Sequence, residues 1–218
     1  MAEAYQQQSG LAHLGLAARA VVDADKFDHG ADWGVWLGER AFQGQINLRG
    51  DPGNKTFMDA VAGVLGARLP TKPNTSAGAE NLRDGPRAMW LAPDEWLVVT
   101  EAGAEAGLAG TLAEATAGCG GSITDVSDAR TVIGLSGRQA RDVLMKGCPL
   151  DLHPAAFIPG QCAQSLLARA TVILYRGSDD AAAAGASFDI HVARSFVEYL
   201  WTWLEDAAGE YGVRIVEG

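Results

Sequence analysis

The sequence predicts an α+β fold, in which short antiparallel strands alternate with helices in repeated strand-strand-helix units. Apolar residues that recur at every second position indicate pairs of strands, as at residues 33–37 and 42–48. Apolar residues spaced three or four apart then indicate a helix after each pair, as at residues 57–65. A doubly wound parallel sheet would need a crossover helix after every strand. We therefore expect antiparallel or mixed sheets with helices packed on one face.

The first unit shows the pattern and its boundary signals. Two strands are expected over 33–38 and 42–48, and Asp51 followed by Pro52 is typical of an N-cap and a first helical turn. The helix that follows is expected to end at Gly66. The unit therefore reads strand, strand, helix.

The same order recurs along the rest of the chain. The second unit has a hairpin at 89–91 and 96–99 with an alanine-rich helix at 108–118, and the third has strands at 123–126 and 131–135 with a helix at 140–144. Further strands are expected at 164–167, 172–175 and 188–192. The chain then ends in a helix with an apolar stripe, at 195–204.

The length of 218 residues suits one large domain or two small parts that share a core. We expect a disordered tail at 1–10, an N-terminal α+β part at 11–86 and a C-terminal α+β part at 87–218. Residues 70–86 contain three prolines and few apolar side chains, which predicts a long loop rather than a regular element.

Composition excludes several classes of function. Seventeen basic against 27 acidic residues give a formal charge of −10, which repels nucleic acid and anionic lipid. Cys119, Cys148 and Cys162 are an odd number of cysteines without a Cys-x-x-Cys pair, as expected for free thiols in a reducing compartment. The sequence contains neither a nucleotide-binding glycine pattern nor a long apolar segment. We expect a cytoplasmic protein that binds neither nucleic acid nor membrane.

One short segment holds residue types that can bind zinc: Cys148, Asp151, His153 and Cys162. Structural zinc sites usually draw on close pairs of cysteine or histidine, and these residues form no such pair. Packed thiols and a hydrogen-bonded histidine are the favoured interpretation. We assign no metal ligand, although a metal-binding module stays open as an alternative.

Two sets of residues could have either a catalytic or a structural role. Cys148 with His191 could form a nucleophile and base, but a thiol near a helix C-terminus is poorly activated. Asp125 and Asp128, with Arg130 beside them, could act as paired carboxylates, yet such residues at a turn usually bond nearby amides. The sequence therefore indicates no catalytic or cofactor-binding residue in this chain.

Six tryptophans are many for this length, and tryptophan anchors both cores and protein interfaces. Trp201 and Trp203 are two apart on the last predicted helix, so they point to different sides. If Trp203 faces the core of its own chain, Trp201 faces a partner. Trp36 and Trp201 are the candidate interface residues.

Several runs resemble the family of gamma subunits of heterotetrameric sarcosine oxidase, and together they cover most of the chain. They are FQGQINLRGDP at 42–52, LAPDEWLVV at 91–99, DVSDARTVIGLSG at 125–137, KGCPLDLHPAAFIPGQCAQSLLARA at 146–170 and RSFVEYLWTWL at 194–204. The run at 146–170 is the most specific. A more distant resemblance to folate-binding aminomethyltransferases rests on 125–127, 135–137 and 159–161, and implies an aminomethyltransferase-like fold.

The resemblance implies a non-catalytic structural subunit of a bacterial flavoenzyme that oxidatively demethylates sarcosine to glycine. It implies that FAD, FMN, NAD, zinc and tetrahydrofolate are held by the partner subunits, alpha, beta and delta, with docking mainly on the folate-binding part of alpha. The carboxylate that aminomethyltransferases use for folate chemistry has no counterpart at 168–172, which reads ARATV. The alternatives are the equivalent subunit of another N-methyl amino acid enzyme, such as N-methylglutamate dehydrogenase, and a stand-alone folate-binding protein.

Overall fold

The computed structural model describes residues 7–30 and 32–217, and within them the chain forms five α-helices and eleven strands. The helices are α1 (Leu16–Asp28), α2 (Lys55–Leu65), α3 (Glu105–Ala115), α4 (Ala140–Met145) and α5 (Val197–Ala208). The strands are β1 (Val35–Arg40), β2 (Gly44–Arg49), β3 (Ser76–Gly78), β4 (Arg87–Ala92), β5 (Glu95–Thr100), β6 (Ser122–Asp125), β7 (Arg130–Gly137), β8 (Cys162–Leu167), β9 (Ala170–Arg176), β10 (Ala186–Ala193) and β11 (Val213–Ile215).

The strands form two sheets. The six-stranded sheet has the order β11-β1-β7-β10-β9-β8, and the five-stranded sheet has the order β3-β4-β5-β2-β6. β1 pairs in parallel with β11, whereas the other named pairs are antiparallel. The prediction of an α+β fold with antiparallel and mixed sheets is confirmed, as are the units β1-β2-α2, β4-β5-α3 and β6-β7-α4.

Each sheet buries one face under helices and turns its other face towards the other sheet. The first outer core lies between the six-stranded sheet and α4 and α5, with Leu135, Ile190 and Leu200 among its members. The second outer core lies between the five-stranded sheet and α2 and α3, with Phe57 and Val98 among its members. The inter-sheet layer, between the inner faces, contains a smaller apolar cluster from both sheets: Met89, Leu91, Leu97, Val99, Cys162, Ile173 and Tyr175.

The start of α2 shows how local hydrogen bonds set a boundary. The predicted cap at Asp51 is three residues too early, because its Oδ1 instead accepts a bond from the backbone N–H of Gly53 at 2.8 Å. Asn54 is the N-cap, and its side chain accepts from the N–H of Phe57 at 3.2 Å. The helix ends at Gly66, which has φ 71° and thus a left-handed conformation that favours glycine.

Three elements differ from the sequence reading. The sequence predicts neither α1 nor β11, and β3 lies inside the segment 70–86, for which the sequence predicts a loop. β3 forms because its backbone pairs with β4 at the edge of the five-stranded sheet, which needs no apolar side chains. The sequence of α1 shows no apolar stripe, because Ala20 is the one buried residue of this helix, while Val21 and Val22 are exposed.

Strands from 11–86 and from 87–218 stand side by side in both sheets, and the division of the chain into these two parts stays a prediction. Of the predicted tail, residues 1–6 lie outside the described residues. Ser9 Oγ donates to the Glu39 carboxylate at 2.6 Å, so contacts with the sheets begin before residue 11. None of the described helices is long and apolar enough to cross a membrane.

Candidate functional site

A cleft of about 530 Å³ opens where the inter-sheet layer reaches the surface. It borders the apolar cluster, with which it shares Tyr175, and it is lined largely by charged and polar side chains. Its floor and rim are formed mainly by Arg40, Gln43, Glu80, Asn81, Arg83, Arg87, Glu101, Tyr175, Ser178 and Asp189.

The floor of the cleft is an ion-paired triad of Arg40, Arg87 and Asp189, which we call the arginine floor. Arg87 Nη2 donates to Asp189 Oδ2 at 3.1 Å, and Arg40 Nη1 donates to Asp189 Oδ1. The side chains of Arg87 and Asp189 are each 3% exposed, whereas that of Arg40 is 38% exposed. Arg40 ends β1, Arg87 begins β4 and Asp189 lies within β10, so the floor joins the two sheets.

Arg87 has one donor without a partner. Its guanidinium lies over the Tyr175 ring, 3.7 Å from the centroid, and its Nη1 donates to the carbonyl oxygen of Glu80 at 3.1 Å. Its Nε is buried and has no hydrogen-bond acceptor within the described residues. Buried donors in native proteins usually have acceptors, so this N–H is an exception within the part of the chain that the structure describes.

The rim carries charges of both signs in contact with solvent. The Glu80 carboxylate accepts bonds from Ser178, which lower the pKa of Glu80 below its usual range. Arg83 and Glu101 form an exposed pair with Nε and Oε1 3.8 Å apart. Exposed pairs of this kind contribute little to stability because water screens them.

His191 lies deeper in the inter-sheet layer and is fully buried. Its Nδ1 is 3.4 Å from Gln45 Oε1, and its Nε2 has no partner within the described residues. Burial lowers the pKa of His191 to about 3, so the ring is neutral at neutral pH. The histidine therefore packs between the sheets as an uncharged group.

The four candidate zinc ligands, Cys148, Asp151, His153 and Cys162, do not come together in the fold. Cys148 belongs to the first outer core and Cys162 to the apolar cluster of the inter-sheet layer, so the six-stranded sheet separates the two thiols. Asp151 Oδ1 accepts from the N–H of His153, whose Nδ1 accepts from the N–H of Ala155. No group of three or more potential metal ligands occurs within 7–30 and 32–217.

Burial suits Cys162 to packing rather than to chemistry. Its Sγ lies 3.4 Å from the carbonyl oxygen of Thr75 and 3.6 Å from that of Trp90. Burial raises the pKa of Cys162 to about 12, which keeps the thiol protonated and weakly nucleophilic. Cys148 and His191 lie on opposite sides of the six-stranded sheet, so they do not form a nucleophile and base.

Of the two carboxylates at the third strand pair, Asp125 has the structural role that the sequence favours. Asp125 Oδ1 accepts from the backbone N–H of Ser127 at 2.9 Å and from its hydroxyl at 2.6 Å. Asp128 and Arg130 line a small pocket beside this turn, with a volume of about 30 Å³. A pocket of that size holds about one water molecule.

The two candidate interface tryptophans have different surroundings. Trp201 is 0% exposed within the first outer core, and its Nε1 donates to Glu205 at 2.8 Å. The prediction that Trp201 faces a partner is therefore wrong for this fold, because Trp201 takes the core side of α5 and Trp203 is the partly exposed one. Trp36 is partly exposed, and its contact with a partner stays a prediction.

Trp36 forms an aromatic cluster with Phe27 and Arg214. The rings of Phe27 and Trp36 meet edge to face with centroids 5.7 Å apart. The Arg214 guanidinium lies 4.2 Å from the Phe27 centroid and 4.4 Å from that of Trp36. Phe27 is 39% exposed, so the cluster presents aromatic surface to solvent.

No sequence motif pointed to the arginine floor. The signal that could have found it lies in β10, where apolar residues alternate with Asp189 and His191. An alternating strand is usually read as half exposed, but here both faces are buried, so the polar residues need partners from the other sheet.

The fold is shared with a known class of protein. Aminomethyltransferase T of the glycine cleavage system from Bartonella henselae matches 89% of this chain and 50% of its own, with a TM-score of 0.63 and 18% identity. At this identity the match shows the fold alone, and it confirms the prediction of an aminomethyltransferase-like fold.

The family follows from closer matches. The model of the sarcosine oxidase, gamma subunit family matches residues 49–210. Sarcosine oxidase subunit gamma from Arthrobacter sp. is 37% identical over 177 residues, 81% of each chain, and that from Corynebacterium sp. strain U-96 is 34% identical over 94% of this chain and 91% of its own. A chain of heterotetrameric sarcosine oxidase from Corynebacterium sp. U-96 superposes with a TM-score of 0.78, covering 94% of this chain and 96% of that one. This chain belongs to the sarcosine oxidase gamma subunit family, as its resemblance predicted.

Proposed function

We propose that this chain is the gamma subunit of a heterotetrameric sarcosine oxidase and works there as a structural subunit. The observation that carries the proposal is the match to a chain of that complex over nearly the whole length of both, at a TM-score of 0.78 and 34% identity. The complex would oxidatively demethylate sarcosine to glycine, and this chain would hold other subunits in place.

In this proposal the chemistry takes place in the other subunits. FAD, FMN, NAD, zinc and tetrahydrofolate would be bound by alpha, beta and delta, and this cytoplasmic chain would supply no catalytic group. The buried polar groups of the chain support that role: His191 is held neutral, and Cys162 is held as a thiol. Groups in those states suit packing between sheets better than proton transfer or nucleophilic attack.

We further propose that the chain docks mainly on the folate-binding part of alpha, with the cluster of Phe27, Trp36 and Arg214 in the contact. Aromatic and arginine side chains dominate the binding energy of protein interfaces. The cluster is partly exposed, and the Nε of Arg214 has no partner within the described residues. That Nε is itself buried, so the cluster would meet a partner through its aromatic rings.

The test is to express the full chain with an affinity tag in its native host and recover it gently. The visible spectrum and the masses of the co-purifying chains are then recorded from one sample. A yellow complex with three companion chains is the expected result. A colourless lone chain would contradict the proposal and favour a stand-alone folate-binding or metal-binding protein, which calorimetry with tetrahydrofolate and elemental analysis would separate.

The recovered complex also identifies the amine. Oxygen consumption and the bleaching of the flavin spectrum are measured with sarcosine and with N-methylglutamate under the same conditions. Faster turnover of sarcosine is expected. Preference for N-methylglutamate would leave the structural role intact but assign the chain to the related N-methyl amino acid enzyme.

A further inference from the structure

The arginine floor holds two guanidinium groups and one carboxylate. Arg40 and Arg87 both bind Asp189, which gives the floor one positive charge in excess. Arg87 and Asp189 are almost fully buried and balance each other, so the excess charge lies on Arg40, whose half-buried guanidinium faces the cleft. The buried Nε of Arg87 also has no acceptor within the described residues.

Bonds from Ser178 and, more weakly, the charge of Arg87 lower the pKa of Glu80, so the rim carboxylates offset this excess only in part. Glu80 is exposed and its carboxylate is bound by Ser178, while Glu101 is exposed and lies beside Arg83. Water screens charges at such positions strongly. The floor therefore offers guanidinium donors and positive charge, and a bound anion would supply the acceptor.

We propose that the cleft is a binding site for a small polar molecule that carries a carboxylate group, with that group seated on the arginine floor. The cleft volume of about 530 Å³ is in the range of ligand pockets. The planar guanidinium of arginine matches a carboxylate in geometry and charge. Gln43, Asn81 and Ser178 on the walls suit a polar rather than an apolar body for the ligand.

Arg40 is the residue that makes this site testable. Its side chain is 38% exposed, so its replacement leaves the buried pair of Arg87 and Asp189 in place. Arg49 provides a matched control, since it ends β2 as Arg40 ends β1 and is also paired with an aspartate, Asp94 at 3.3 Å. Arg49 does not line the cleft.

The experiment is an NMR titration of the ¹⁵N-labelled full chain with sodium acetate and sodium succinate at constant ionic strength. The Arg87 Nε–H signal and the backbone signals of the cleft report binding. We expect saturable shifts with both carboxylates and none with acetamide or succinamide, which have similar shapes without the charge. Arg40→Gln should weaken binding by about tenfold or more, and Arg49→Gln should leave it unchanged.

Three results would overturn the proposal. One is the absence of saturable shifts in the wild-type chain up to about 20 mM of either carboxylate, a concentration well above a millimolar Kd. Another is equal binding of the amides, and the third is an equal effect of Arg40→Gln and Arg49→Gln. Circular dichroism of both variants verifies that each is folded.

A second binding measurement, on the assembled complex, separates two sources of the carboxylate: a free small molecule and an acidic group of a partner subunit. Binding of ¹⁴C-succinate to the complex, measured by equilibrium dialysis and lost in the complex that carries Arg40→Gln, supports a free small molecule. Loss of binding on assembly would show that an acidic group of a partner subunit occupies the floor, which contradicts a small-molecule site. Because the isolated chain is titrated first, failure of this proposal and failure of the subunit assignment give different results.

Discussion

The two outer cores and the inter-sheet layer are built on different principles, although they share the same strands. The first outer core is apolar and covered by helices, with Phe188, Ile190 and Leu200 among its fully buried members. The inter-sheet layer is apolar at one end and polar at the other, where Arg87 and Asp189 are paired. The difference indicates that apolar packing in the outer cores provides most of the stability, whereas the inter-sheet layer depends on complete pairing of its polar groups.

β10 shows that one strand can serve both regions. Phe188 and Ile190 point into the first outer core, and Asp189 and His191 point into the inter-sheet layer. A shift of one residue in register would exchange the two sets and place charges under the helices. The pairing of β10 with β7 over its whole length, and with β9 over residues 188–192, fixes that register.

The largest expected effect comes from the outer cores. Trp201→Ala should lower the free energy of unfolding by about 4 kcal/mol, because it removes a fully buried indole and leaves a cavity. Urea unfolding followed by circular dichroism measures the loss. Trp203→Ala is the control on the same helix, and its loss should be clearly smaller because Trp203 is partly exposed. Equal losses would contradict the assignment of Trp201 to the core.

The arginine floor should be the most sensitive point of the inter-sheet layer. Asp189→Asn should cost about 3 kcal/mol of unfolding free energy, since it leaves two guanidinium groups without a buried counter-charge. Asp94→Asn is the matched control, because Asp94 binds an arginine at the exposed surface. The same urea experiment applies, and a cost no larger than that of the control would show that the floor is well solvated.

The sequence was sufficient for elements whose apolar residues follow a clear period. α5 is predicted within a few residues because its buried residues recur at the spacing of a helix, and β5 because a short apolar run at 96–99 follows the turn at Pro93 and Asp94. It was insufficient where tertiary contacts decide: β11 is a three-residue strand that exists because it pairs with β1. The side of α5 that faces the core also depends on tertiary packing, so the roles of Trp201 and Trp203 could not be told apart by spacing.

The arginine floor could not be predicted from the sequence, for a related reason. Arg40, Arg87 and Asp189 are up to 149 residues apart in the chain, and each taken alone resembles an ordinary exposed charge. Their meeting depends on how the two sheets face each other, which no local pattern encodes. The resemblance to a family indicates the function instead, because the specific run at 146–170 lies within the residues 49–210 that the family model matches.

Trp36 lies on a surface that belongs neither to the outer cores nor to the inter-sheet layer. It lies on the same face of β1 as Arg40, but Phe27 and Arg214 cover it in place of the five-stranded sheet. Trp36→Ala should weaken assembly with the partner subunits by about 2 kcal/mol and lower the stability of the chain by less than about 1 kcal/mol. Assembly is measured by quantitative pull-down of the flavin-containing chains.

Trp36→Phe is the control for that variant, since it retains an aromatic ring between Phe27 and Arg214 and should retain most of the assembly. If Trp36→Ala assembles normally but unfolds much more easily, the tryptophan supports the fold of its own chain. The prediction of a partner contact at Trp36 would then be wrong.

The smallest expected effect concerns His191, and it is a pH dependence of the free energy of unfolding. Burial lowers the pKa of His191 from the ordinary 6.5 to about 3, with the nearby Arg40, Arg87 and Arg130 adding to the shift and Asp189 opposing it. Above pH 6.5 the ring is neutral in both states and contributes no pH dependence. Between pH 6.5 and 3 the unfolded chain binds more protons than the folded chain, so stability falls as the pH falls, by up to about 1.4 kcal/mol per pH unit.

The variant that isolates this effect is His191→Gln, with His29→Gln as the control at an exposed histidine. Unfolding free energies are measured at pH 7 and pH 5, where carboxylates that titrate at lower pH contribute alike to all three chains. The wild-type chain and His29→Gln should lose about 1 to 2 kcal/mol more than His191→Gln over this interval. Equal losses would show that water reaches His191, and the polar end of the inter-sheet layer would then be hydrated rather than closed by pairing between its own side chains.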